Sequence, residues 1–161
     1  MIRFLLAASV AVLSLSCAAE LRITSPNEAC SVLRDTRLRA NSWSIKADGT
    51  EGCSSTVRAI TVNSSSGNTI AFMAQGTDQV PELLILKIDI TSPSVADDAK
   101  REMIKATKRL SVRALGLSIP RSVDNAILTG ENASLHVGSG VVVITRTNRD
   151  KGAYQLMLTM H

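Results

Sequence analysis

Glu82-Leu83-Leu84-Ile85-Leu86-Lys87-Ile88-Asp89-Ile90, followed after Thr91-Ser92-Pro93-Ser94 by a helical pattern over 95–115, decides the fold. In the first piece Leu84, Leu86, Ile88 and Ile90 alternate onto one face. Leu83 and Ile85 make its start apolar on the other face, so it predicts a central strand needing cover on both sides. In the second piece Ala96, Ala99, Met103, Ala106, Leu110 and Ala114 recur at helical spacing. Ser94, with Asp97 three residues on, forms a cap, and Gly116 is placed to end the helix.

Upstream, Ser25-Pro26-Asn27-Glu28 is a capping box with proline at the first helical position, and Ala29, Val32, Leu33 and Thr36 share one face. This predicts a short helix over 26–37. Trp43 to Ala47 alternates as a short half-buried strand, and Asp48-Gly49 and Glu51-Gly52 are turn signals. Thr56 to Asn63 and Thr69 to Gln75 are β-rich and flank Ser64-Ser65-Ser66-Gly67-Asn68, a connection of hairpin length. Downstream, Ile119-Pro120 opens a second short helix through Thr129, stopped by Gly130. Strands follow near Ala133 to Val137, Val141 to Arg146 and Ala153 to Met160, the last alternating Tyr154, Leu156, Leu158 and Met160 against Gln155, Met157 and Thr159. Runs of strands separated by helices predict an α+β fold, an antiparallel sheet packed against one long and one or two short helices.

The chain has 161 residues, 45% hydrophobic and 20% charged, which suits one globular domain rather than a disordered or fibrous chain. Its first segment stands apart. Met1-Ile2-Arg3 is a positive start, Phe4 to Leu15 is an apolar run and Ser16-Cys17-Ala18-Ala19 offers small residues for cleavage, the layout of a secretory signal peptide over 1–19. The run is too short for a spanning helix, which wants roughly 20 apolar residues. Cleavage after Ala19 leaves a single domain at 20–161, periplasmic or secreted. A bacterial lipoprotein would instead keep Cys17 as its lipidated, membrane-anchored first residue, but Ser14-Leu15-Ser16-Cys17 has its leucine one position too near the cysteine.

Either way Cys30 and Cys53 remain, and an even pair in an exported chain reads as a disulfide. The bridge would close a loop of about 24 residues and stabilise the fold by roughly 3 kcal/mol on the loop-entropy model. A metal site or redox thiol is the rival reading, but there is no CxxC, and the only histidines are His136 and His161. No cofactor is expected.

The formal net charge is +4, and removing 1–19 takes away only Arg3. On the long helix Asp97 and Asp98 precede Lys100, Arg101, Lys105, Lys108, Arg109 and Arg113. This order complements the helix dipole and describes a solvated polar face. The sharper reading is an anion-binding strip, joined by Arg121, Arg146, Arg149 and Lys151 if the fold brings them near, with Lys105, Arg109 and Arg113 as its exposed basic face. Nucleic acid is disfavoured: aromatics are 2% of residues (Phe4, Trp43, Phe72 and Tyr154), and no nucleic-acid-binding motif is present.

Catalytic motifs fail. There is no GxSxG, HExxH, GxxxxGK[ST] or GxGxxG. Gly138-Ser139-Gly140 beside His136 invites a nucleophile and base, but glycine and serine there are expected of a turn between strands. Asp78, Glu82, Asp89 and Asp124 would pair only if the fold assembled them. Asn63-Ser64-Ser65 and Asn132-Ala133-Ser134 match the glycosylation pattern, which matters only in a eukaryotic secretory pathway. Two functions from different classes follow. One is a non-catalytic exported binding or accessory module that docks on another envelope or secreted protein. The alternative is a small exported hydrolase with a carboxylate or Ser/His site assembled by the fold.

Overall fold

A computed structural model of the chain describes residues 20–47, 49–60 and 67–161. The expected signal peptide, the Asp48 half of the Asp48-Gly49 turn and the Asn63 sequon lie outside the described residues. The elements run α1 (Pro26–Ser31), β1 (Ser44–Ile45), β2 (Glu51–Ser54), β3 (Arg58–Ala59), β4 (Thr69–Thr77), β5 (Val80–Ile90), α2 (Ala96–Ala114), α3 (Arg121–Thr129), β6 (Ala133–Val137), β7 (Gly140–Asn148) and β8 (Tyr154–Met160). The eight strands form one antiparallel sheet in the order β1-β2-β4-β5-β8-β7-β6, with β3 paired beside β2 along β4. The architecture is the expected α+β one, and β5 lies in the middle of the sheet.

Register explains the core. Leu86 stands between Phe72 of β4 and Leu158 of β8, and Ile88 between Ile70 and Leu156. Leu84 stands between Ala74 and Met160. Val142 and Ile144 of β7 extend the same rows. All these side chains are buried, and they form one continuous core with Ala29 of α1, Leu33 just after it, Ala99, Met103, Leu110 and Ala114 of α2, and Val123 and Ile127 of α3. The opposite face is different. Ile85 and Ala71 are buried there but lie outside that core, and Met73, Leu83, Val143 and Met157 are half-buried. The two-sided cover expected of β5 is therefore met by the helical layer on one side only. Beyond Ile85 the second face carries Lys87 and Asp89, and an antiparallel sheet can leave such a face to water.

Several local expectations are corrected. The first helix ends at Ser31, not 37, and residues 32–38 continue as successive turns. Arg34 N–H and Thr36 N–H donate to Ser31 and Leu33 carbonyls, and the Thr36 hydroxyl donates to Leu33 O at 2.6 Å while accepting from Leu38 N–H at 3.1 Å. Threonine thus offers the backbone an alternative to the helix ladder. Glu51-Gly52 is strand rather than turn: Gly52 packs where a Cβ would run into the Ala74 carbonyl oxygen. The strand at Trp43 shrinks to Ser44–Ile45, both exposed. The Thr56–Asn63 strand is described only at Arg58–Ala59.

Ser94 does not cap the long helix. Pro93–Val95 form a 3-10 turn ahead of it, and Val95 stands at the helix N-cap without a side-chain bond. The approach is organised instead by Asn68, only 1% exposed. Its Oδ1 accepts from Thr91 N–H and Ser92 N–H, both at 2.9 Å, and its Nδ2 donates to the Ser92 and Val95 carbonyls. The second short helix stops as expected at Gly130, whose φ of 72° is the left-handed conformation glycine adopts without penalty.

Candidate functional site

The 32–38 turns and α2 face each other across a groove of about 850 Å³. Its first wall is held at two points. Cys30 on α1 is bonded to Cys53 on β2, as expected from the cysteine pair, with a Cα–Cα distance of 5.9 Å. Five residues on, Asp35 takes a bidentate pair from Arg113 of α2, with Arg113 Nη1 at 2.6 Å from Oδ1 and Nη2 at 2.7 Å from Oδ2, and Nη1 also donates to the Val32 carbonyl. The fork geometry of guanidinium on carboxylate makes this stronger than a single exposed ion pair. Hydrogen bonding from Arg113 holds the Asp35 carboxyl down at about 2, with the positive charges of Arg113 and Arg109 adding to it. The same bond raises the Arg113 guanidinium above its ordinary value.

The turn presents Arg34 just before the Asp35 anchor and Arg37 just after it, both exposed. The facing wall is one stripe of α2, where Arg101, Lys105 and Arg109 follow at intervals of four residues. Arg58 of β3 closes one side, and Leu38, Ile60 and Ala106 supply apolar lining. Six cations thus meet three carboxylates, Asp35, Asp98 and Glu102, an excess of three positive charges. Glu102 engages Arg58 and Lys105, both at 3.1 Å, and Asp98 lies 3.9 Å from Arg101. Burial pushes the Glu102 carboxyl up, but the hydrogen bonds from Lys105 and Arg58 outweigh it and the net shift is downward. Arg34, Arg37 and Arg109 have no carboxylate within ion-pair distance among the described residues.

The structure therefore separates the three residues of the expected basic face. Lys105 and Arg109 line the groove with exposed side chains. Arg113 lies beyond it, on a smaller adjoining cavity of about 480 Å³, and is engaged in clamping the turn. Other cations of the imagined strip are scattered. Arg146 stacks 4.0 Å over the Tyr154 ring, Arg149 pairs with Asp89 at 2.9 Å, and Lys108 ties α2 to Asp124 of α3 at 2.7 Å. Lys100, expected on the solvated face, is buried and donates to the Leu128 carbonyl at the end of α3 at 2.6 Å. Arg34, Arg37 and Arg58 were not singled out by sequence. The signal was present in Arg34-Asp35-Thr36-Arg37-Leu38-Arg39, three arginines in six residues, but the helix expected through 37 hid it.

The residues weighed for catalysis do not converge. Gly138-Ser139 forms the β6–β7 turn, where the Ser139 hydroxyl donates to the Glu20 carbonyl at 3.2 Å, while His136 is exposed on β6. Asp78 sits in the β4–β5 turn, Glu82 accepts from the Thr77 hydroxyl, Asp89 lies at the far end of β5 and Asp124 on α3. No group of three or more His, Cys, Asp or Glu able to hold a metal occurs among the described residues. No described helix is long and apolar enough to cross a membrane. Comparison with protein-family models, with curated proteins and with solved structures finds no match.

Proposed function

We propose that this chain is an exported, non-catalytic binding module that captures an acidic surface of another envelope or secreted protein in the groove between the 32–38 turns and α2. The observation that carries the reading is the set of three arginines, Arg34, Arg37 and Arg109, facing that groove with no carboxylate within ion-pair distance among the described residues. Guanidinium groups left unpaired in a concave, positively charged site draw in anions and recognise carboxylates by paired hydrogen bonds. The leader-like first 19 residues and the disulfide support export, since structural disulfides persist in oxidising compartments. Periplasm is the compartment proposed.

Affinity capture from the native envelope, with mass identification of what is bound, tests the proposal. The immobilised wild-type chain should retain an acidic protein that an Arg37→Glu, Arg109→Glu bait does not retain, and moderate salt should elute it. Equal retention by both baits at every ionic strength would remove the groove from the account.

A further inference from the structure

We propose that the groove takes an extended segment carrying acidic side chains at alternate positions, laid along α2 with those side chains on Arg101, Lys105 and Arg109. The inference rests on the acidic-partner reading and adds the ligand's conformation and charge spacing.

Spacing is the argument. Residues four apart on a helix rise about 6 Å, so Arg101, Lys105 and Arg109 form a ladder of cations about 12 Å long. Alternate side chains of an extended strand lie about 6.5 Å apart on one face, so three of them match the ladder within a flexible side chain's reach. Adjacent acids on a strand point to opposite faces and cannot all meet one helical stripe. The remaining side chains of such a segment face the opposite wall, where Arg34 and Arg37 stand, and the apolar lining of Leu38, Ile60 and Ala106. The resident partners of the ladder are weak obstacles. Lys105–Glu102 and Arg101–Asp98 are pairs three residues apart on the helix surface, with the cations 72% and 67% exposed. Such pairs contribute little and exchange readily for an incoming carboxylate.

The test uses two blocked peptides of equal length, composition and charge, three Glu and otherwise Ser and Gly, one with Glu at alternate positions and one with the three Glu consecutive. Binding to the chain carrying its disulfide is read by fluorescence anisotropy at low salt. The alternating peptide should bind about fivefold or more tighter, the gain of one or two further exposed charge pairs. The Lys105→Gln, Arg109→Gln variant, which alters only exposed side chains, should lose that preference. Equal affinity of the two peptides, or a preference that survives in the variant, overturns the spacing inference and leaves the acidic-partner reading standing. Failure to bind either peptide while inorganic polyphosphate binds at the same groove overturns both.

Discussion

Asp35 is where a single side chain has the clearest measurable consequence. Its folded-state value of about 2 lies below the ordinary 3.8, so the carboxylate is the form favoured by folding. The stabilisation from the Arg113 clamp is therefore fully present above pH 3.8 and is lost as pH falls through about 2. Titration of the Asp35 side-chain carboxyl by NMR should give a midpoint near 2 in the wild type, moving back toward 3.8 in Arg113→Gln. A wild-type midpoint at the ordinary value would mean that the clamp does not form in solution. Asn68 gives a second test at this scale. Replacing it with alanine withdraws one acceptor shared by Thr91 and Ser92 and both side-chain donor contacts. Loss of a buried hydrogen-bonding group of this kind costs about 2 kcal/mol. Urea unfolding should show a loss of unfolding free energy of that size, read from a lowered midpoint, and an unchanged midpoint would contradict the role assigned to it.

At the scale of elements, how well each was legible follows from how much of its structure is local. β5, α2, α3 and β8 were readable because long runs at one period average out exceptions, and Gly116 and Gly130 sit where their helices end. β1 and β3 are two residues each, too short for a periodic signal, and exist because β2 and β4 stand beside them. Gly52 looked like a turn because glycine's backbone freedom and its lack of a side chain are indistinguishable in sequence. Here the second property is used, to let β2 approach β4. Half of the groove was legible in the same way. Lys105 and Arg109 follow from helical spacing, whereas Arg34 and Arg37 depend on α1 ending at Ser31, after which the turns are held by the Thr36 hydroxyl and by Arg113 on Val32 and Asp35. The disulfide belongs to this scale too, since it fastens α1 to β2. Replacing Cys30 and Cys53 together with alanine should lower stability by about 3 kcal/mol and weaken anion capture, because the wall bearing Arg34 and Arg37 loses one of its two anchors. Unchanged thermal unfolding under reducing conditions, with two free thiols titrating in the native protein, would reject the bridge.

For the whole molecule, one helical layer on one sheet face leaves a charged groove whose apolar floor, Leu38, Ile60 and Ala106, belongs to the packed core while its charged rim is exposed. Such a site can change its charges without disturbing folding, so binding and stability should separate experimentally. Export makes its own demand. The mature protein should begin at Glu20, and N-terminal sequencing of material from the envelope fraction checks this. An intact leader in the cytoplasm would contradict export, and a lipid on Cys17 would replace secretion with anchoring. The most direct measurement of the central claim is the salt dependence of affinity for the captured partner, compared between wild type and Arg37→Glu, Arg109→Glu. The account predicts wild-type binding that weakens steeply as salt rises and a variant that binds weakly at all salt concentrations, with the same unfolding midpoint in both. A variant that binds as tightly as wild type with the same salt dependence would contradict it.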